Sequence, residues 1–451
     1  MKKSDNEREL VLGILLEVTE KGAYSHLILR DVLQKYQYLD KKERAFITRV
    51  TEGTLEHLLE LDYILNQFSS VKVEKMKPVI RNILRSAVYQ LKYMDTVPDS
   101  AVCNEAVKLA IKKGFGSLRG FVNGVLRNTA RKLAQVKYPA DPLEGLSIQY
   151  SMPMWILKQW LSDYDRQTVE RMLEAFCQEK SLVIRRNLSK GADKDAGEFR
   201  NMLKKEGVQI TPHPYLPYAF YIAGYDSLGE LESFRKGEFM VQDVSSMLIC
   251  EVAGVKEGDL VFDVCAAPGG KAVHMAEKLN GTGRVEARDL TAYKVGLIQE
   301  NIERMGLTNI RAIQQDARIL DGNSMKKADI VLADLPCSGL GVLGKKADLK
   351  YRVTEEDIFG LKKLQQEILS TVQNYVKPGG TLVYSTCTIH PAENMDNVHW
   401  FLEKYPEYTL KDIRGNLCAE LMQDVQEDGC LQLLPGIHQS DGFFLAVLQR
   451  A

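Results

Sequence analysis

No stretch of this 451-residue chain approaches the roughly 18 consecutive apolar residues that a membrane-spanning helix needs. Its eight cysteines (103, 177, 250, 265, 337, 387, 418 and 430) are dispersed, with no Cys-x-x-Cys pair. In so long a chain that excludes a disulfide scaffold and reads as reduced thiols in a cytoplasm. Seven histidines are scattered, and Cys387 with His390 gives too few ligands for zinc, so no metal is expected. The opening Met1-Lys2-Lys3-Ser4-Asp5-Asn6-Glu7-Arg8 leads into no apolar core, which argues against a secretory signal. Internal repeats and low-complexity tracts are missing too. With 45% hydrophobic and 26% charged residues, the composition is that of a soluble globular protein, not a disordered or collagenous one.

Net charge is also scarce, at −1 from 59 Lys+Arg and 60 Asp+Glu, but its distribution is uneven. Residues 1–140 carry 24 basic and 16 acidic side chains, 141–235 carry 12 and 14, and 236–451 carry 23 and 30. A basic module joined to an acidic one suits a polyanion-binding arm beside a catalytic domain, although a basic surface alone would serve solubility equally well.

Periodicity separates the segments. Val11, Ile14, Leu15 and Val18, and again Ile80, Ile83, Leu84, Ala87 and Val88, recur at helical spacing, so residues 1–135 are expected to be all-helical. Pro98-Asp99-Ser100 supplies a stop and an N-cap before a helix carrying Lys108 and Lys112; Arg127, Arg131 and Lys132 form a later basic group. Residues 136–144, with Pro139 and Pro142, read as a linker. Residues 145–235 mix helices (about 154–177 and 196–206) with short strands at 181–186 and 219–222, as in a small α/β domain. From 236 to 451, strands at 260–265, 284–289, 310–315, 330–333 and 381–385 alternate with helices near 270–279, 291–305 and 355–376. That alternation predicts a Rossmann-like parallel sheet, closed by an antiparallel pair at 430–434 and 443–448.

The first of these strands runs into Asp263-Val264-Cys265-Ala266-Ala267-Pro268-Gly269-Gly270-Lys271. Small residues here let the backbone approach a ligand at the carboxyl edge of the sheet. No Gly-x-Gly-x-x-Gly fingerprint follows this strand, which argues against a dinucleotide. Ala272 stands where a phosphate-binding P-loop needs Ser or Thr. Asp289 closes the second strand, placed to take both hydroxyls of a ribose, and Asp316 closes the third, placed for an adenine edge. Any one such Asp is more often a cap or a solvated turn. Three successive strands ending this way indicate an adenosine ligand without a pyrophosphate, hence S-adenosylmethionine.

Strand four ends Asp334-Leu335-Pro336-Cys337-Ser338-Gly339, and strand five ends Ser385-Thr386-Cys387-Thr388. A lone cysteine is usually a small core residue; two at equivalent ends of adjacent strands are harder to dismiss. Cytosine carbon 5 is a poor nucleophile. Thiolate attack at carbon 6, with a proton at nitrogen 3, turns the base into an enamine that can accept a methyl group, and a second group then removes the carbon 5 proton. Two thiols and an Asp fit that scheme; the residues alone do not say which thiol attacks.

At Asp263–Lys271, Asp334–Gly341, Tyr384–Thr388, Gln242–Ser246 and Asp441–Phe444 the chain resembles the NOL1/NOP2/Sun family of RNA 5-methylcytosine methyltransferases. Upstream, Tyr89-Gln90, Val97-Pro98, Asn104–Val107 and Gly120–Arg127 resemble a NusB-type RNA-binding domain. The resemblance implies a three-part protein: a NusB-like all-α domain, a small α/β domain and a class I methyltransferase domain. It further implies Cys387 as nucleophile and Cys337 as the aid to product release. Cys265, Ala266, Ala267, Pro268, Gly269, Gly270, Lys271, Asp289, Asp316 and Asp334 are implied to hold S-adenosylmethionine, with Lys271 and Asp334 close to the base. The pairing with a NusB-type domain implies 16S ribosomal RNA as substrate, cytosine 967 as target, and a monomer. Glu393-Asn394-Met395-Asp396 departs from the family, whose members often carry a second acidic residue directly after the Asn; the departure bears on a peripheral contact and not on the chemistry. Rival readings are a 5-methylcytosine enzyme for another RNA, a non-catalytic NusB-like RNA-binding protein, and an amino-methyltransferase that leaves Cys387 unexplained.

Overall fold

The computed structural model describes residues 7–36, 38–178, 181–190, 196–426 and 429–451. The charged opening at residues 1–6 lies outside the described residues. Two compact units result, Met1–Cys177 with Leu343–Arg352, and Gln178–Val342 with Val353–Ala451.

The first unit is helical: α1 Glu7–Lys21, α2 Ser25–Lys35, α3 Lys41–Glu56, α4 Leu58–Phe68, α5 Pro78–Tyr93, α6 Asp99–Lys112 and α7 Arg119–Lys132, followed by α8 Pro142–Gln149, α9 Met154–Asp163 and α10 Arg166–Cys177. The expected periodic faces are the buried ones: Val11, Ile14, Leu15 and Val18 on α1, and Ile80, Ile83, Leu84, Ala87 and Val88 on α5. Asp40 and Glu43 close a reciprocal capping box at α3. At α6 the expected side-chain cap is not made. Pro98 occupies the cap position, and Asp99 acts from the first turn, where its charge favours the helix dipole.

The expected linker also differs. The Tyr63 hydroxyl donates to the Lys137 carbonyl (2.9 Å), and Tyr138 joins Lys92 and Tyr93 in donating to buried Glu60. Burial alone would raise the Glu60 pKa, but these donors and His57 hold it down at about 2. A buried carboxylate needs donors from wherever the chain can bring them, and part of the linker is one such source. Helices α8–α10 pack in this unit, so the span 145–235 is divided at residue 177. The segment Leu343–Arg352 belongs here too. Buried Lys350 donates to the carbonyls of Glu56 (2.9 Å) and Tyr150 (3.4 Å), and the Tyr351 hydroxyl donates to those of Glu56 (3.1 Å) and Ser151 (3.2 Å).

The second unit begins with β1 Leu182–Arg186, α11 Ala196–Lys205, β2 Gln209–Pro212, β3 Ala219–Ala223, α12 Glu232–Arg235 and β4 Phe239–Val241. They form an antiparallel sheet in the order β2-β3-β1-β4, which adds two strands to the expected pair. Next come α13 Val244–Ala253, β5 Leu260–Asp263, α14 Gly270–Lys278, β6 Arg284–Asp289, α15 Ala292–Met305, β7 Ile310–Gln314, β8 Ala328–Asp334, α16 Glu355–Val372 and β9 Val376–Thr386. The chain closes with α17 Met395–Lys404, β10 Tyr408–Leu410, α18 Ala419–Met422, β11 Cys430–Leu433 and β12 Phe443–Arg450.

Strands β7-β6-β5-β8-β9 are parallel, and β12 joins antiparallel beside β9. The expected C-terminal pair forms, with Cys430 opposite Ala446, while β10 also pairs with β12. Successive strand residues enter opposite cores: Val261, Leu332 and Val383 on one side, Phe262, Val331 and Leu382 on the other. Burial on both faces is why these strands read as continuous apolar runs. Strand order reverses at β5, and ligands of such sheets bind outside the carboxyl ends at that switch.

Candidate active site

The loop from β5 to α14 carries Cys265, Ala266, Ala267, Pro268, Gly269 and Gly270 at that edge. The Ala267–Pro268 peptide is cis. Gly269, with φ +106°, caps α14 in a conformation that L side chains rarely adopt. Asp289 ends β6 and accepts from the backbone N–H groups of Ala267 (3.0 Å) and Leu290 (2.8 Å), so one buried carboxylate ties the glycine loop to the second strand. Lys294 Nζ lies 3.1 Å from Oδ1, the oxygen that takes Leu290 N. Asp263, at the end of β5, is buried; burial pushes its pKa up to about 7 against the pull of Lys271 and of the Cys265 backbone N–H. Asp316 lies beyond the end of β7 and pairs with Arg318 (2.6 Å), whose hydrogen bonds hold its carboxyl below the usual range.

Asp334 ends β8. Its two oxygens accept from Lys271 Nζ (2.6 Å) and Ser385 Oγ (2.8 Å), so residues from the glycine loop and from β9 meet on one carboxylate. Burial disfavours the Lys271 ammonium, but Asp334 and Asp263 more than offset it and raise its pKa. Just beyond, Cys337 and Cys387 face one another with sulfurs 3.2 Å apart, both partly exposed. The hydrogen bond to Cys387, and then burial, hold the Cys337 pKa well above that of a free thiol. Two sulfurs this close do not both ionise cheaply, and the nearby carboxylates of Glu393 and Asp334 add to the cost of ionising Cys337.

The backbones around the pair are pressed together. Gly341 N donates to Cys387 O (3.0 Å), and Gly442 N to Gly341 O (2.8 Å); a Cβ on Gly341 would stand 2.0 Å from Gly442 O. That approach accounts for glycine in both the Asp334–Gly341 and Asp441–Phe444 stretches. Gly339, Gly341 and Gly344 do have dinucleotide-fingerprint spacing. They follow β8, however, and lead into a single turn at Leu343–Lys345 instead of a helix. Ser385 has no role legible in the sequence, and only the β8–β9 register, Asp334 opposite Ser385, gives it one. Among the described residues no group of three His, Cys, Asp or Glu side chains could hold a metal, and no helix is long and apolar enough to cross a membrane.

Of the basic side chains singled out in the helical module, Arg127, Arg131 and Lys132 are exposed on α7, while Lys108 pairs with Glu105 (2.7 Å) and Lys112 with Glu9.

A parallel sheet that reverses at β5, with an antiparallel strand inserted beside β9 and a short glycine turn after the first strand, has the plan of a class I methyltransferase. Family models match in three places: "16S rRNA methyltransferase RsmB/F" over residues 252–449, the NusB family over 5–131, and the RsmF/B-like ferredoxin-like domain over 152–226. The chain is 34% identical over 450 residues to the probable ribosomal RNA small subunit methyltransferase B of Bacillus subtilis, covering 99% of each. Among solved structures, that of PH0851 is similar with a TM-score of 0.82 and 25% identity, covering 99% of this chain and 98% of that one. NSun6 of Pyrococcus horikoshii shares the fold, with a TM-score of 0.56 and 24% identity, over 65% of this chain and 97% of that one. The chain belongs to the ribosomal RNA small subunit methyltransferase B family.

Proposed function

We propose that this protein forms 5-methylcytosine in 16S ribosomal RNA, at cytosine 967 as the family resemblance implies, acting as a monomer through a covalent adduct of Cys387. Residues 1–135 serve as the RNA-binding module and 236–451 as the catalytic domain. The observation that carries this reading is the Cys337–Cys387 pair, 3.2 Å apart, beside the Lys271–Asp334 ion pair.

S-adenosylmethionine, the methyl donor, supplies an electrophilic methyl group. The residues present suit it: Asp289 for ribose hydroxyls, Asp263 as a buried carboxylate for an ammonium, Asp316 for the base, and the small residues Cys265–Gly270 for close approach. In the reaction, Cys387 sulfur bonds to carbon 6 of the cytosine. Asp334, kept in place by Lys271 and Ser385, holds a proton at nitrogen 3, so the electron pair moves to carbon 5. After methylation, Cys337 takes the carbon 5 proton, the pair released re-forms the carbon 5–carbon 6 double bond and expels the Cys387 sulfur, and the nitrogen 3 proton returns to Asp334. The same contact that keeps Cys337 protonated at first is lost once Cys387 is bonded to carbon, since its largest cause is the Cys387 hydrogen bond. Released from that contact, Cys337 gives its thiol proton to solvent water and takes the carbon 5 proton as the thiolate.

The test is a denaturing gel with substrate RNA. Cys387→Ser should abolish methylation and form no protein–RNA band. Cys337→Ser should accumulate a covalent band, and RNA containing 5-fluorocytosine should trap wild type. A band with Cys387→Ser alone would reverse the two roles. Full activity in both variants would refute thiol catalysis. Bisulfite sequencing of ribosomal RNA from a strain lacking the protein tests the target.

A further inference from the structure

The turn at Pro391–Glu393 and the residue after it lie outside the reaction just described, yet together with Gln365 they hold the chain on both sides of both thiols. Glu393 is completely buried. Its carboxylate accepts from Ser338 N (2.9 Å), from Ser338 Oγ and from Gln365 Nε2 (3.0 Å). Gln365, on α16 and also fully buried, donates from the same nitrogen to Pro336 O (2.9 Å). The residues immediately before and after Cys337 are therefore held by one two-residue grip. Ser338 Oγ also meets Thr388 Oγ1 at 2.8 Å, which carries the grip across to the residue after Cys387. Asn394 completes it. Its Oδ1 accepts from Thr386 Oγ1 (2.6 Å), and its Nδ2 donates to Thr388 O (3.1 Å).

We infer that Glu393 and Asn394 are positioning residues that set the sulfur–sulfur separation of Cys337 and Cys387. Burying a carboxylate is costly unless its hydrogen bonds are complete, and here each Glu393 oxygen is satisfied by the Cys337 loop or by the side chain that holds that loop. Burial raises the Glu393 pKa, so the clamp works through hydrogen-bond geometry more than through charge. Glutamine should then serve nearly as well. Its oxygen can keep Ser338 N and Gln365, and its amide can donate to Ser338 Oγ, whose own proton turns to Thr388. Alanine leaves the Ser338 N–H and one of the two Gln365 amide N–H groups without an acceptor.

The catalytic consequence rests on the proposed thiol chemistry, but the separation itself can be read without catalysis. Phenylarsine oxide, a trivalent arsenical, bonds two sulfurs at once only when they stand close together. Titrated against the full-length protein, it should occupy one high-affinity site that Cys337→Ser abolishes. Glu393→Ala should weaken that site at least fivefold and slow single-turnover methylation by a similar factor. Affinity for S-adenosylmethionine, read by calorimetry, should stay within twofold. Glu393→Gln should restore arsenical affinity and rate to within about twofold of wild type. Should Glu393→Ala not fold, Ser338→Ala removes one oxygen and cuts the bridge to Thr388, and the same fivefold weakening is expected. A smaller loss of arsenical affinity in the folded variant would overturn the inference, as would Glu393→Gln failing like Glu393→Ala. If methylation survives in Cys387→Ser, the chemistry proposed above falls, and the arsenical titration still decides the clamp.

Discussion

Replacing Asp334 with Asn separates two roles that the residue could hold, one toward the cytosine and one toward the methyl donor. In the native site its oxygens accept from Lys271 Nζ at 2.6 Å and Ser385 Oγ at 2.8 Å. Asparagine keeps the shape and one acceptor but turns its amide N–H groups toward one of these donors. A hydrogen bond to a charged group is worth roughly 1.5–3 kcal/mol. With side-chain exposures of 16% for Lys271 and 25% for Asp334, solvent screens part of this. We take about 2 kcal/mol, equivalent to about 30-fold in rate. Losing the proton held at nitrogen 3 removes a further factor of about 10²–10⁴. Asp334→Asn should thus lower single-turnover methylation by at least about 10³-fold. Because nitrogen 3 must be protonated before carbon 6 is attacked, the rate of covalent trapping on 5-fluorocytosine RNA should fall in step. Calorimetry should show affinity for S-adenosylmethionine changed by less than about tenfold. A variant that forms the trapped adduct at the wild-type rate while losing methylation would move Asp334 from the base to the methyl donor.

Other consequences follow from single contacts. Asp289→Ala leaves Ala267 N–H without its acceptor and, if Asp289 holds the ribose as proposed, should weaken S-adenosylmethionine binding by roughly 1–3 kcal/mol in calorimetry; unchanged affinity would remove Asp289 from the cofactor site. Asp263 titrates near 3.8 when unfolded and at about 7 in the fold. The folded protein therefore holds an extra proton between those values and loses stability as pH rises through that window, by at most about 4 kcal/mol. Asp263→Asn should raise the ligand-free Tm above pH 7 and leave it unchanged near pH 4; a pH-independent difference would disprove this. Arg127→Glu with Arg131→Glu should weaken RNA binding and flatten its salt dependence by roughly two counterions, and equal slopes by filter binding would take α7 off the RNA.

What the sequence made legible was whatever depends on neighbours in the chain. Strands β5 to β9 are apolar because both faces are buried, and the Gly270–Asp289 spacing is a property of one strand–helix–strand unit. Elements that depend on distant partners did not show. The three residues of β10 make a strand only because β12 lies alongside. Tyr138 sits among prolines, and its engagement comes from Glu60, 78 positions away. Leu343–Arg352 carries Asp348 and Lys350, which look like surface residues until Ser25 and the Glu56 carbonyl supply their partners. The distances around Asp316 are of the same kind, since its pairing with Arg318 is invisible to strand periodicity.

The thiol pair lies between these cases. Both cysteine motifs were legible, but their separation is a matter of register. In the parallel pairing of β8 with β9, Asp334 stands opposite Ser385, and the cysteines follow three and two residues beyond. One residue of slip would shift the partners by about 3.3 Å and turn alternate side chains to the opposite face. Ser385 would then lose the carboxylate it shares with Lys271, and the sulfurs would no longer meet. The register is pinned by residues that do no chemistry: Val331 opposite Leu382 and Leu332 opposite Val383, each pair buried on its own side of the sheet. Apolar alternation sets the coarse placement to within one residue. The buried hydrogen bonds of Glu393, Gln365 and Asn394 then act on a smaller scale, fixing loops that strand pairing leaves free beyond Asp334 and Thr386. Two cysteine motifs can therefore be read from a sequence as a pair, while the residues that bring the sulfurs to 3.2 Å are recognised only once both loops are seen to share one carboxylate.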